Sequence, residues 1–260
     1  GITAFATTGD WAVQNTTIKN SPSSGIAADG STGDWSVKNV TIIGDPTADE
    51  SEGIDADRAN GSWEITNSTI RAVSEDGVSP DASSGDWSIR NTTINATRHS
   101  ADLFETSGDW SITSSVLVSS RDDRAAVNAI NATGNWKISH SILTDGTGKA
   151  INTIDDPPQG NASYNYWGTS DGPSGDFDGS GGSVVGNVSV TPYYIDSSLT
   201  TLSSEQGSGA GGLPTNPGEP GFGDVLEVIQ SFNTNAEYVD TGVTPGFSDV
   251  LEVIQAFNAG

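Results

Sequence analysis

A tryptophan that returns at nearly even intervals constrains this 260-residue chain more than any other feature. Each copy ends a tripeptide that begins with glycine, such as Gly9-Asp10-Trp11, and successive copies are 23 to 28 residues apart. The copies before residue 140 are Trp11, Trp35, Trp63, Trp87, Trp110 and Trp136. A repeat of this length predicts an architecture in which each unit stacks on its neighbours.

A second apolar position keeps a constant distance from the tryptophan. An aliphatic residue, usually preceded by glycine, lies nine residues before it, as Ile54 does before Trp63 and Val78 before Trp87. Because two separate features share one period, the repeat is a property of the whole unit. One unit therefore corresponds to one coil of a solenoid.

Within each unit the side chains alternate as they do in β-strands. Trp87 and Ile89 are two residues apart and share one face, whereas Ile94 follows Asn91 by three, so a bend separates two short strands. No helical stripe of apolar residues occurs before residue 220. Stacked coils would bring identical residues together, and we expect the asparagines at this bend to form a buried ladder: Asn15, Asn39, Asn67 and Asn91.

This coil pattern resembles the right-handed parallel β-helix, or pectin-lyase-like, family of extracellular proteins. The segment from Asn165-Tyr166-Trp167-Gly168 to Gly172-Pro173 is similar to the closing coil of such proteins. The resemblance implies an all-β fold, a right-handed parallel β-helix solenoid of about seven coils over residues 1–202. It also implies that polysaccharides are the usual substrates of those members that are enzymes.

The C-terminal part has a different organisation. Residues 203–219 are rich in Gly, Ser and Pro and predict a linker. Residues 220–260 contain a duplicated segment with helical periodicity, so we expect a small α-helical module whose apolar faces carry Phe222, Leu226, Phe247 and Leu251.

The duplicated segment resembles a degenerate dockerin, a calcium-dependent docking module. Its loops have lost most of the oxygen ligands, so calcium binding would rest on Asp240 and Asp249. Capping of the following helix is the better explanation of Asp249. The resemblance implies docking to a cohesin-like or other surface protein.

The formal net charge of −24 excludes nucleic acids and anionic membranes as favourable partners. This acidic composition resembles that of proteins from extreme halophiles. The chain has no cysteine, and no apolar run approaches the ~18 residues of a membrane span. We therefore expect a disulfide-free protein that acts outside the cell or at its surface.

Glycosylation sequons are dense in this chain, which favours an extracellular location. Four of them coincide with the expected asparagine ladder. The better glycan acceptors are those in loops or off the ladder: Asn60, Asn95, Asn131, Asn161 and Asn187.

No constellation of catalytic residues is evident, so the sequence favours a protein that is not an enzyme and holds no certain cofactor. Asp122 and Asp123 are adjacent, but neighbours in a strand point to opposite faces. The tryptophans share the phase of the aliphatic residues, which favours a place in the core over a sugar-stacking surface.

The sequence thus predicts a structural protein that self-assembles into a filament or an adhesive surface layer. We expect an open first coil at Gly1, Ile2 and Phe5 to meet a second copy, and the helical tail to clasp another. The alternative is a β-helix that binds or degrades polysaccharide and is docked by its tail. An exposed groove with three or more carboxylates, or an arginine beside acids, would favour this alternative.

Overall fold

A computed structural model describes residues 1–45, 47–121, 123–145, 149–153 and 160–203, together with residues 228, 229, 250, 253 and 254. The chain divides into two compact units, Gly1–Thr200 and Thr201–Gly260. Within the described residues, no helix has the length and apolar character needed to cross a membrane.

The first unit consists of short strands separated by bends. The strands of the first four coils are β1 (Ile2–Thr3), β2 (Trp11–Gln14), β3 (Thr17–Ser21), β4 (Ile26–Ala27), β5 (Trp35–Lys38), β6 (Thr41–Gly44), β7 (Ile54–Asp55), β8 (Trp63–Thr66), β9 (Thr69–Val73), β10 (Val78–Ser79), β11 (Trp87–Arg90) and β12 (Thr93–Ala96). The later strands are β13 (Ala101–Asp102), β14 (Trp110–Thr113), β15 (Val116–Ser119), β16 (Ala125–Asn128), β17 (Trp136–Ser139), β18 (Ile142–Asp145), β19 (Lys149–Asn152), β20 (Gly160–Asn161), β21 (Pro173–Gly175), β22 (Gly181–Val185) and β23 (Val188–Ser189).

From β1 to β20 every third strand joins the same sheet, so the chain winds through three parallel sheets. The first sheet runs β1-β4-β7-β10-β13-β16-β19-β22-β21, the second β2-β5-β8-β11-β14-β17-β20-β23, and the third β3-β6-β9-β12-β15-β18. Equivalent residues pair from coil to coil, as Trp87 does with Trp63 and Trp110. The predicted parallel solenoid of about seven coils is confirmed, and its right-handedness stays a prediction.

The tryptophans form a continuous stack inside the solenoid. Successive rings have centroids 4.8 to 5.1 Å apart and planes within 9° of parallel. From Trp35 to Trp136 each residue is only 3 to 5% exposed, beside aliphatic side chains such as Val37 and Ile89. The prediction that these tryptophans belong to the core is confirmed.

The Gly-Asp pair before each tryptophan also has a stacking function. A Cβ on Gly85 would lie 2.0 Å from the carbonyl oxygen of Gly61 one coil away, so only glycine fits this close approach. The Asp86 Oδ1 accepts a hydrogen bond from the Asp109 backbone N–H at 2.9 Å. The repeated tripeptide therefore closes one coil onto the next.

The asparagine ladder exists, but its predicted burial is wrong. Asn39 donates to Asn15 at 3.1 Å, and Asn91 donates to Asn67 at 2.7 Å. All four residues have positive φ and are exposed, because this left-handed bend turns the side chain outward. The next residue in each coil is the one that turns inward, as Ser68 and Thr92 do.

Most of the tail lies outside the described residues. This includes the predicted linker and every tail residue expected to take part in contacts or calcium binding: Phe222, Leu226, Asp240, Phe247, Asp249 and Leu251. The described residues of this segment are helical, and Val228, Val250 and Val253 form one small buried cluster. The helical module itself stays a prediction.

Because the tryptophans are stacked, we expect substitution of equivalent tryptophans to reduce the free energy of unfolding by different amounts. Trp87→Ala removes a ring that is sandwiched between two others, and we expect a loss of about 3–5 kcal/mol in the free energy of unfolding. Trp11→Ala is the matched control, because among the described residues Trp11 stacks only on Trp35 and is only partly buried. Denaturant unfolding of both variants measures the difference, and equal losses would contradict the stacking argument.

Candidate active site on the first sheet

Carboxylates accumulate on the outward face of the first sheet. Ile54 and Val78 point into the core, so the residues beside them point outward. Parallel pairing of β7, β10 and β13 then stacks acids from successive coils. We call this set the acidic groove: Glu52, Asp55, Asp57, Asp76, Asp81 and Asp102.

Crowding in the acidic groove shifts the carboxyl groups toward their protonated forms. Burial, reinforced by neighbouring carboxylates, raises the pKa of Glu52 and of Asp81 to about 8. The same causes raise the pKa of Asp76 to about 7 and that of Asp57 to about 6. Carboxyl groups with such pKa values are typical of sites that transfer protons near neutral pH.

Asp57 and Asp81 occupy the same position in adjacent coils but have different surroundings. Asp57 Oδ1 accepts hydrogen bonds from the Ser79 hydroxyl at 3.1 Å and from the Asp81 backbone N–H at 3.2 Å. Asp81 Oδ1 is buried and makes no hydrogen bond within the described part of the chain. The hydrogen bonds to Asp57 favour its ionised form, whereas Asp81 has fewer groups to stabilise a charge.

Basic residues follow the acids along the same face. The Arg98 guanidinium lies 3.2 Å from Asp76 Oδ2, 3.3 Å from Glu75 Oε2 and 3.7 Å from Asp102 Oδ2. A cavity of about 370 Å³ opens beside it, and Phe104, which is 36% exposed, forms part of its wall. The charged residues of its lining include Asp81, Arg98, Asp102, Asp123, Arg124 and Lys149.

A chain of amide hydrogen bonds fixes the floor of this cavity. Asn128 donates to Asp102 Oδ1 at 2.8 Å, and Asn152 donates to Asn128 at 3.0 Å. Lys149 donates to Asn152 at 3.1 Å. The cavity therefore places Asp81, whose pKa is raised, near the positively charged side chains of Arg98, Arg124 and Lys149. In the same region Asp76, His99 and Asp102 bring their ligand atoms within 4.8 Å of one another, a spacing that could hold a metal ion.

The structure does not bring the residues predicted as functional into this site. Gly1 is exposed, Ile2 is half-buried, and Phe5 is 63% exposed in the first coil. The five proposed glycan acceptors are all exposed: Asn60, Asn95, Asn131, Asn161 and Asn187. Of the adjacent acidic pair, Asp123 lines the cavity, whereas Asp122 lies outside the described residues.

Sequence reasoning missed the acidic groove because it compared neighbours along the chain. The informative neighbours are one coil apart, 22 to 24 residues away in sequence, such as Asp57 with Ser79 and with Asp81. The period of the aliphatic positions already provides the alignment that is needed. Listing the residues three positions after Ile26, Ile54 and Val78 gives an unbroken series of aspartates: Asp29, Asp57 and Asp81.

A second, larger groove of about 1020 Å³ follows the tryptophan ladder on the second sheet. Its aspartates are engaged by the backbone: Asp10 accepts from the Asp34 N–H, and Asp34 accepts from the Ser62 N–H, both at 2.9 Å. From Trp35 to Trp136 its tryptophans are nearly fully buried, and Trp11 is partly buried. These contacts assign the groove a structural function.

No family model, curated protein sequence or solved structure matches this chain. The geometry of the first sheet is therefore the basis for assigning a function.

The raised carboxyl pKa values predict that alkaline pH destabilises the fold. Between about pH 4.5 and pH 8 the folded chain holds more protons than the unfolded chain, so its stability falls as pH rises through this interval. Glu52→Gln removes one of these groups, and we expect its Tm at pH 9 to exceed that of the parent by at least about 2 °C, the effect of ~1 kcal/mol.

Thermal unfolding at pH 5, 7 and 9, at constant ionic strength, measures this effect. Glu50→Gln is the matched control, because Glu50 is exposed and nearby in sequence. A parent Tm that rises from pH 5 to pH 9 would contradict the prediction.

Proposed function

We propose that Asp57 and Asp81 of the acidic groove cleave the glycosidic bonds of a polysaccharide outside the cell, and that the basic residues of the neighbouring cavity bind its anionic groups. The observation that carries this proposal is the Asp57–Asp81 pair, whose pKa values of about 6 and about 8 differ although the two groups are neighbours. Near pH 7 such a pair contains one ionised and one protonated carboxyl group. Glycoside hydrolysis needs this combination.

The roles within the pair follow from their surroundings. Asp81 would be the general acid that protonates the leaving oxygen of the glycosidic bond. Asp57, held ionised by the Ser79 hydroxyl and the Asp81 N–H, would be the base or the nucleophile. Hydrolysis by either route breaks the carbon–oxygen bond, and water supplies the hydroxyl group and the proton of the products.

The cavity next to the pair suits a negatively charged sugar. Arg98, Arg124 and Lys149 provide cations in a chain that has only 10 basic residues. Arginine binds carboxylate and sulfate groups through paired hydrogen bonds. Phe104 offers an exposed apolar face on which a sugar ring can pack. These groups support a uronate or sulfated polymer as the substrate class.

The remaining expectations from the sequence are compatible with this function. A parallel solenoid is what the resemblance to pectin-lyase-like proteins implies, and the enzymes of that family act on polysaccharides. The five exposed sequons favour an extracellular location. The acidic composition favours a halophilic source, and the dockerin-like tail would dock the protein to a partner. The cavity, whose lining includes Asp81, Asp123 and Arg98, is the feature that favours the polysaccharide alternative over a purely structural protein.

Substitution of the proton donor tests the proposal. Asp81→Asn cannot protonate the leaving oxygen, and we expect turnover to fall by about 100-fold or more. The assay is the release of reducing sugars from polygalacturonate, alginate and a sulfated galactan, from pH 5 to pH 9. The parent rate should be greatest near pH 7 and decrease on both sides.

The matched control is Asp49→Asn, because Asp49 is an exposed carboxylate that is not one of the acidic-groove residues. Its activity should equal that of the parent chain. Full activity of Asp81→Asn, or the absence of products from all three polymers over the whole pH range, would overturn the proposal.

Self-assembly is a second candidate function, and the exposure of Phe5 favours it. Phe5 is the most exposed large apolar residue in the described part of the chain. Phe5→Ser should shift the molecular mass measured by light scattering in molar salt toward that of the monomer, because it removes an apolar contact. Phe104→Ser is the control, and a parent chain that is monomeric at all concentrations would exclude assembly.

A further inference from the structure

A buried histidine lies between two buried aspartates beside the acidic groove. Asp76, His99 and Asp102 are 2, 4 and 3% exposed. Asp76 and His99 occupy the same position in adjacent coils, two residues before β10 and β13, and Asp102 lies on β13. The parallel register therefore brings together three side chains that are separated in sequence.

Hydrogen bonding fixes the orientation of the His99 ring. Its Nδ1 lies 2.8 Å from the Ala125 carbonyl oxygen and 3.2 Å from the Ala125 nitrogen. The Ala125 backbone N–H is also directed at Nδ1, so the two contacts require opposite tautomers; the shorter one favours a proton on Nδ1, which donates to the carbonyl and leaves the lone pair on Nε2. A histidine that binds a metal through one nitrogen commonly donates to a backbone carbonyl through the other.

The His99 lone pair faces a carboxylate oxygen instead of a donor. Asp102 Oδ2 lies 3.9 Å from Nε2, too far for a hydrogen bond, while Asp102 Oδ1 is held by Asn128. Zinc–nitrogen and zinc–oxygen bonds of ~2.0–2.1 Å at a tetrahedral angle put two donors ~3.4 Å apart, so this pair must close by about half an ångström to share the ion. Asp76 is fixed nearby, because its Oδ1 accepts the His99 backbone N–H at 2.9 Å.

We propose that Asp76, His99 and Asp102 bind a divalent transition-metal ion of the zinc class. One imidazole and two carboxylates suit zinc, and three protein ligands leave a position for water. Calcium fits less well, because it prefers six to eight oxygen ligands and no nitrogen. The proposal does not depend on polysaccharide cleavage, which is assigned to Asp57 and Asp81.

Arg98 is the competitor of this ion. Its guanidinium contacts Asp76 Oδ2 at 3.2 Å, but it lies 3.7 Å from Asp102 Oδ2, which is longer than a hydrogen bond. An incoming cation would share these carboxylates and be repelled by the guanidinium charge. Removing that charge should therefore strengthen metal binding, which a purely structural triad would not do.

Calorimetric titration of the full chain with Zn²⁺ and, separately, Ca²⁺ tests the site. We expect one Zn²⁺ site that is lost in His99→Gln and in Asp102→Asn, and that Ca²⁺ does not compete for. His140→Gln is the matched control, because His140 is the other histidine of the chain and is exposed. Its Zn²⁺ affinity should equal that of the parent.

Arg98→Gln keeps the test decisive if Asp102→Asn fails to fold. We expect this variant to bind Zn²⁺ about 10-fold more tightly, because a nearby positive charge is removed. Co²⁺ should give visible absorption bands in the parent and in Arg98→Gln, and none in His99→Gln. Zn²⁺ binding that survives His99→Gln, or no binding in either the parent or Arg98→Gln, would overturn the proposal.

Discussion

In-register parallel pairing is the constraint on which the rest of this structure depends. Each coil satisfies its backbone hydrogen bonds on the coils beside it, so every residue lies next to its own counterpart one repeat away. Tryptophan rings then stack at about 5 Å, and Gly85 must be glycine because Gly61 leaves no space for a Cβ. The regular sequence is the consequence of this packing.

The same pairing makes the outward face of the first sheet electrostatically costly. Burial raises the pKa values of Glu52, Asp57, Asp76 and Asp81, and repulsion between carboxylates in this crowded face adds to the effect. Apolar residues can occupy equivalent core positions in adjacent coils without an electrostatic cost, whereas residues of like charge at equivalent positions repel each other. Acids nevertheless occupy three successive coils of the acidic groove, and this arrangement is the basis of our proposal that the groove transfers protons.

At one position of the first sheet the residue type changes from coil to coil, so the charge of the outward face differs between its two ends. The position two residues before Ile54, together with its counterparts in the following coils, is occupied in turn by Glu52, Asp76, His99, Ala125 and Lys149. The charge therefore changes from negative to positive along the rod. Asp81 and the cations that we propose for substrate binding meet where the sign changes, which is also where Asp102 and Arg98 lie close together.

The sequence alone determined the solenoid. Strand geometry explains the period of Trp87 and its counterparts, the alternation from Trp87 to Ile89 and the phase change before Ile94. It also identified the tryptophans as core residues. It did not reveal that Asn91 is exposed, because a left-handed bend is a property of backbone dihedrals and not of spacing. Only the tertiary structure brought Asp76, His99 and Asp102 together, because stacking of the coils makes residues of different repeats neighbours. It also shifted the pKa values of Asp57 and Asp81, because burial arises only when the coils stack.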